Sequence, residues 1–316
     1  MAQNFVGSNN INLLMPIGQF GTRNQGGKEA ASPRYIFTNL SLVTRYLYHE
    51  DDDPLLNYLE EEGQSIEPDY YLPIIPLSLI NGAEGIGTGW STSIPCFNPR
   101  DVVKNLRSMM NGSSYETMYP WYKGFQGTIE PTAPGSRNFT VKGVYRILGD
   151  EETSDELEIT ELPIGKWTRD YKNFLEELAS KDEIDEIREY HTENRVHFVL
   201  KVPKLQEINR TPDGIEKKFK LSSSISANNY VLFDYEGKIK RYQSEEEIIR
   251  EFFVLRKELY ERRKLHMLAS LRQQVETLSS KVRFILGVIS EEIKVSRVKK
   301  SVLVAQLRSM GFKTAS

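Results

Sequence analysis

The side chains with the most reactive potential lie near the N-terminus. Gln19-Phe20-Gly21-Thr22-Arg23 is followed by Lys28 and then by Arg34-Tyr35. Glycines that permit close backbone approach, together with spaced cations and hydroxyls, suit contacts to a phosphate backbone. A phenol can attack a phosphodiester once its proton is removed, which its reference pKa of ~10 makes necessary. Cations must then offset the charge of the pentacovalent transition state, and the Arg34 guanidinium is adjacent. Against this reading stand the 16 tyrosines of the chain, most of which must pack.

A second segment, Asn81–Trp90 (NGAEGIGTGW), is rich in glycine. Its spacing is not G-x-G-x-x-G. Gly82 and Gly87 have the P-loop gap but are followed by Thr88 instead of lysine, so nucleotide binding is not expected. Ile86 is an apolar side chain flanked by glycines, suited either to burial or to a wedge between base pairs. By residue type alone burial is the stronger expectation. Four histidines and the single Cys96 give no zinc-ligand spacing, and Cys96 has no partner for an internal disulfide. Asp51-Asp52-Asp53 is expected to be a solvated run and not a metal site.

These candidates need elements to position them. Residues 1–35 are loop-rich, Tyr35–Thr38 reads as a short strand, and Ser41 as the N-cap of a short helix through Leu47. A helical piece is expected around Leu55–Leu59. Residues 71–80, with two prolines, predict an edge strand or a bent buried segment, and Asn98-Pro99 opens an amphipathic helix. Between Phe125 and Val202 alternation predicts strands (GTIE, NFTVKGVYRIL, LEITELP, VHFVLKV) with a helix near Trp167–Leu178. Residues 230–242 predict a hairpin turning at Glu236-Gly237. Ser244 and Glu247 form a capping box before a helix from Glu245 to Ser290, about 69 Å long at ~1.5 Å per residue. Its stripe (Ile248, Phe252, Leu255, Leu259, then Leu271 to Ile289) shifts phase near Arg262–His266. At this length it predicts one arm of a coiled coil, with a short helix after Lys299. The fold class expected is α+β.

With 316 residues and 39% hydrophobic content the chain can build a core, which excludes wholesale disorder. No apolar run approaches the ~20 residues of a membrane span, and no secretory signal opens the chain. Charge is uneven. Residues 238–316 carry 18 basic and 9 acidic side chains, whereas residues 51–70 carry eight acids and no base. That pattern fits nucleic-acid contact on some faces and a solvated acidic surface elsewhere.

The runs QNFVGSNNINLLMPIGQFGTRNQGGKEAASPRYIFTNLS (Gln3–Ser41) and PIIPLSLINGAEGIGTGWSTSIP (Pro73–Pro95) resemble the DNA breakage–reunion region of eukaryotic type IIA DNA topoisomerases. The likeness continues through ITELP, KFKL and LFDYEGKIKRY into the long helix. It implies a partial winged-helix domain over 1–74, a mixed α/β tower domain over 75–243 and a coiled-coil arm over 244–316. It implies that Tyr35 attacks a DNA phosphate to form a 5′-phosphotyrosyl link, that Arg34 stabilises the transition state, and that Ile86 intercalates and bends DNA, against the burial expected above.

Under the same resemblance Gln19, Thr22, Arg23 and Lys28 would touch DNA. So would Lys220, Leu221, Ser222, Ser223, Ser224, Ile225, Ser226, Ala227, Asn228 and Asn229. Mg2+ and ATP are implied as bound by other domains, a TOPRIM metal site and an ATPase module expected upstream of Met1. The returning coiled-coil arm and the dimer gate are expected downstream. The partners implied are double-stranded DNA, a second copy in a homodimer and a TOPRIM domain acting in trans, in the nucleus and without a membrane. A competing reading is a truncated, non-catalytic DNA-binding or dimerisation paralogue that keeps Tyr35 as a relic.

Overall fold

The computed structural model describes residues 1–150 and 152–312. In chain order the elements are α1 (Thr44–Leu47), β1 (Tyr58–Glu61), β2 (Gln64–Pro68), α2 (Leu77–Ile80), β3 (Ala83–Gly87), β4 (Trp90–Ile94), α3 (Pro99–Met110), β5 (Thr128–Pro131), β6 (Asn138–Lys142), β7 (Val144–Ile147) and β8 (Glu156–Glu161). There follow α4 (Thr168–Ala179), β9 (Glu186–Glu189), β10 (Phe198–Lys201), α5 (Leu205–Asn209), α6 (Gly214–Lys218), β11 (Ser222–Ser226), β12 (Tyr230–Phe233), β13 (Ile239–Tyr242), α7 (Glu245–Ile289) and α8 (Lys300–Ser309). The α+β class is observed. A four-stranded antiparallel sheet runs β7-β8-β10-β9, a three-stranded sheet runs β11-β6-β5, and β1-β2, β3-β4 and β12-β13 are separate hairpins.

Two compact units result, Met1–Arg256 and Lys257–Ser316. The first has two cores. One joins the four-stranded sheet to α4, with Leu157, Ile159, Leu175, Phe198 and Leu200 fully buried. The other gathers Leu79, Ile80, Ile94, Phe97, Val102, Tyr230, Tyr242, Ile248 and Ile249, with Ile11 and Ile75 packed against them. The boundaries expected at residues 74 and 243 fall inside this second core.

The second unit contains the distal part of α7. Leu271, Val275, Leu278, Val282, Ile285 and Ile289 are exposed along it, as a stripe awaiting a partner helix would be. At its end Ile293 turns back onto Gly287, where a Cβ would lie 2.7 Å from Ile293 Cδ1, and Phe284 meets Phe312 edge-on at 6.3 Å. The expected helix from Glu245 to Ser290 is thus one residue too long, and the short helix after Lys299 is present. Its start is capped as expected on one side: Glu247 N–H donates to Ser244 Oγ (3.2 Å). The Glu247 carboxylate reaches one residue further back, to Gln243 N–H (2.7 Å).

Several local expectations are corrected. No strand forms over Tyr35–Thr38, because Pro33 presets a 3-10 turn over Pro33–Tyr35. The short helix starts at Thr44, and Ser41 contributes only its carbonyl, which accepts from Thr44 N–H (3.0 Å). The helical piece around Leu55–Leu59 is a 3-10 helix over Glu50–Leu55 followed by the β1–β2 hairpin. Segment 71–80 is the bent buried alternative. The aspartate run is not simply solvated: Asp52 is buried against Arg256 (2.8 Å), and Asp53 pairs with Arg45 (2.8 Å). The strands and helix between Phe125 and Val202, the α3 start at Asn98, and the 230–242 hairpin match expectation.

Candidate nucleic-acid interface

Tyr35 ends the Pro33–Tyr35 turn, closed by Tyr35 N–H donating to Ser32 O (3.0 Å) and Ile36 N–H to Pro33 O (3.3 Å). The chain after it is laced to residues 13–19. Met15 N–H donates to Asn39 O and Ser41 N–H to Leu13 O (both 2.9 Å), and Thr38 Oγ1 donates to Met15 O (2.7 Å). Gly18 lies so close to Ile36 that a Cβ would stand 2.7 Å from its Cγ2. The backbone is therefore fixed while the Tyr35 ring is 72% exposed. The Arg34 guanidinium carbon lies 6.0 Å from the centre of that ring.

The loop from Gln19 to Lys28 is a closed structure of its own. Thr22 N–H and Oγ1 both donate to the Glu29 carboxylate, Gln3 Nε2 donates to Phe20 O (2.9 Å), and a Cβ on Gly21 would strike Gly27 Cα at 2.4 Å. Gln19 and Lys28 face solvent, Lys28 3.8 Å from the Asp170 carboxylate. Arg23 does not. Its guanidinium is 4% exposed and paired with Glu161, whose other partners are Leu162 N–H (2.9 Å) and Gln126 N–H (3.2 Å). Desolvating a charge is tolerated only when it is paired, so Arg23 anchors the loop and is withdrawn from the expected DNA surface.

Ile86 stands at the tip of the β3–β4 hairpin and is 95% exposed. Leaving an isoleucine in water forgoes about 1.5–3 kcal/mol of burial, so burial, the expectation by residue type, gives way here to a presented side chain. Gly85, with nothing within 4 Å of a would-be Cβ, and Gly87 leave space around it. The stem is rigid. Gly82 (φ +69°) passes so close to Ile94 O that a Cβ would sit 2.6 Å from it. Asn10, buried, donates to Ile80 O (2.9 Å) before the hairpin and Phe97 O (3.1 Å) after it. Asn81 exchanges bonds with the Ile11 backbone at 2.8 and 2.9 Å.

Segment Lys220–Asn229 is the third candidate. Its strand β11 alternates: Ser224 and Ser226 are exposed, Ser222 is half-buried on the same face, and the Ser223 hydroxyl is buried among the described residues without a partner. Ile225 packs against the second core. Leu221 is fully buried and Ala227 nearly so, which removes both from the expected DNA surface. Lys220 is exposed and Asn228 projects beside Asn138 (2.9 Å). The Asn229 amide is engaged by Ser91 O and Oγ (3.1 and 2.9 Å), while Asn229 O accepts from Ser93 N–H (2.8 Å). Asn229 therefore joins this segment to the Ile86 hairpin.

Sequence reasoning missed Asn10 and Asn81 as stem clamps. Their only signal was amides beside glycine and apolar residues in NN-I and IN-G. It also missed the Pro163–Arg169 turn, which packs against the Gln19–Lys28 loop. No group of three His, Cys, Asp or Glu among the described residues could hold a metal ion. The acidic run at 51–53 is engaged by His49, Arg45 and Arg256, so these residues do not fit Mg2+. Burial pushes the Cys96 thiol up to about 12, which makes it inert as a nucleophile.

Residues 1–314 match the family model that describes the A-type chain of DNA gyrase/topoisomerase IV. DNA topoisomerase 2 of Arabidopsis thaliana is 50% identical over 317 residues, covering 99% of this chain and 21% of that protein. The mitochondrial DNA topoisomerase 2 of Dictyostelium discoideum is 47% identical over 315 residues, covering 98% of this chain and 24% of its own length. The crystal structure of the Plasmodium falciparum topoisomerase II DNA-binding, cleavage and re-ligation domain superposes with a TM-score of 0.90 at 44% identity, over 98% of this chain and 42% of that one. The chain thus spans about a fifth of the length of the curated relatives it matches. By family model, identity and fold, this chain belongs to the DNA gyrase/topoisomerase IV family and is akin within it to the eukaryotic DNA topoisomerases 2.

Proposed function

We propose that this chain is the breakage–reunion part of a type II DNA topoisomerase, with Tyr35 as nucleophile. The observation that carries the reading is a tyrosine 72% exposed on a backbone held rigid from both sides, with a guanidinium beside it. A ring so placed has no packing role. Its oxygen would form a bond to phosphorus as the phenolic proton departs and the P–O3′ bond breaks, leaving a 5′-phosphotyrosyl ester and a 3′ hydroxyl. Arg34 would offset charge on the non-bridging oxygens. The ester retains the bond energy, so attack by the 3′ hydroxyl reseals the strand. Ile86 would enter the stack as an apolar wedge, and Gln19, Lys28, Lys220 and the outer face of β11 would meet phosphates. Thr22, both of whose donors go to Glu29, is withdrawn from that surface.

The resemblance to type IIA enzymes implies a wider setting, which is proposed with the rest. The whole protein is an ATP-dependent isomerase acting on double-stranded DNA in the nucleus, to relax and decatenate it. It works as a homodimer in which the TOPRIM domain of one copy holds Mg2+ opposite the tyrosine of the other. Mg2+ and ATP are assigned in this reading to domains outside this chain.

The test mixes this chain with a TOPRIM-containing protein lacking its own tyrosine, nicked duplex and magnesium. Covalent adducts that vanish in Tyr35→Phe support the reading. Tight DNA binding without adducts would favour a non-catalytic paralogue.

A further inference from the structure

The two expected DNA-contacting segments, Gln19–Lys28 and Lys220–Asn229, are nearly two hundred residues apart in sequence. The turn between β8 and α4 brings them together. Gly26 (φ +65°) lies against Trp167 so closely that a Cβ would stand 2.2 Å from the indole Cε2, and Arg169 N–H donates to Asn24 O (2.9 Å). At the other end of the turn Lys166 Nζ donates to Lys220 O (2.6 Å). Lys220 itself has a left-handed backbone (φ 51°), and its ammonium lies 4.1 Å from the centre of the Phe174 ring.

The electrostatics of this junction are unbalanced. Nearby lysines are matched with glutamates: Lys142 with Glu216, Lys172 with Glu189, Lys218 with Glu183. Among the described residues neither Lys166 nor Lys220 has a carboxylate within 4.0 Å. Lys166 is half-buried. Burial, and then the Lys220 ammonium, hold its amine below the ordinary lysine range. Burial and a like charge nearby disfavour the protonated Lys166 amine, and a bound anion would offset both. The bond to Lys220 O fixes the Lys166 ammonium at the Lys220 backbone and uses one of its protons, leaving the others for such an anion.

We propose that Lys166 is a further DNA-backbone contact, which with Lys28 and Lys220 makes one phosphate-binding track from the Tyr35 loop to strand β11. This rests on the functional reading above and extends it to Lys166, which neither composition nor motif marked. The Pro163–Arg169 turn is then the keystone of the track, because it touches both flanking segments at once.

The experiment measures binding of the purified chain to a short fluorescent duplex across a series of KCl concentrations. Lys166→Gln is expected to flatten the slope of log K against log salt by about 0.9, one phosphate contact, and to weaken low-salt binding roughly five- to tenfold. The effect should be the same for unrelated sequences. Lys166→Arg, which keeps the charge, should restore the parental slope. Lys104→Gln, at an exposed lysine paired with Glu116 (2.5 Å), should leave it unchanged. A parental slope in Lys166→Gln, with the parent binding duplex well, would overturn this proposal alone. A parent with no duplex binding at all would overturn it together with the functional reading.

Discussion

The hairpins β1–β2 and β3–β4 are close in sequence and alike in architecture. Each is a two-stranded ribbon exposed on both faces, and each is held at its stem by one buried side chain from elsewhere. Arg256 grips the acidic hairpin, bonding to Asp52 (2.8 Å) before it and Leu72 O (3.3 Å) after it. Asn10 grips the glycine-rich hairpin through Ile80 O and Phe97 O. The ribbons differ in charge. β1–β2 presents Glu60, Glu61, Glu62 and Glu67 with no base, while β3–β4 carries only Glu84 and ends in a bare isoleucine. A polyanion can approach the second and is repelled by the first. On the proposed reading, the side chains on the tip decide the function and the clamp below supplies stiffness.

The comparison breaks most severely at the charged clamp. Arg256→Ala leaves Asp52 buried without this partner and is expected to cost about 3–5 kcal/mol, read by denaturant unfolding. Asn10→Ala removes a neutral amide from buried carbonyls and should cost about 1–3 kcal/mol, with DNA bending by energy transfer reduced as the Ile86 stem loosens. A surface pair sharpens the contrast. The Glu247 carboxyl is held below its ordinary value of 4.5, chiefly by the Gln243 N–H and then by Lys240. Because the folded state depresses this acid, its stabilisation is present above about pH 4.5 and fades as pH falls further. Glu247→Gln should therefore lose under about 1 kcal/mol at neutral pH, with the difference from the parent closing in acid. The smallest effect on folding belongs to Ile86→Ala, within about 0.5 kcal/mol, although it should abolish most of the DNA bend. A loss of stability instead would show that the side chain packs.

Much of this was readable in advance. The strands between Phe125 and Val202, the Asn98 cap and the long helix follow from periodicity and capping, which are local. The failures were at Tyr35–Thr38, where β-branched and aromatic residues suggested a strand but the preceding proline decided the turn. At Asp51–Asp53 a run of like charges looked solvated because its partners, Arg45 and Arg256, are set by tertiary structure. Arg23 illustrates the same limit at the interface. A cation among glycines looks free for phosphate until folding brings Glu161 against it. The exposure of Ile86 was contrary to residue type and was expected only through family resemblance, since nothing local states that a hydrophobic side chain will be left in water.

Asn229 has a mechanical consequence. Its side chain and carbonyl fasten the end of the β11 segment to Ser91 and Ser93, the returning leg of the ribbon that bears Ile86. On the proposed reading, grip along one surface and penetration at the other are geared together. A duplex settling against the serine face would also bear on the wedge, so seating and kinking should arrive as a single event.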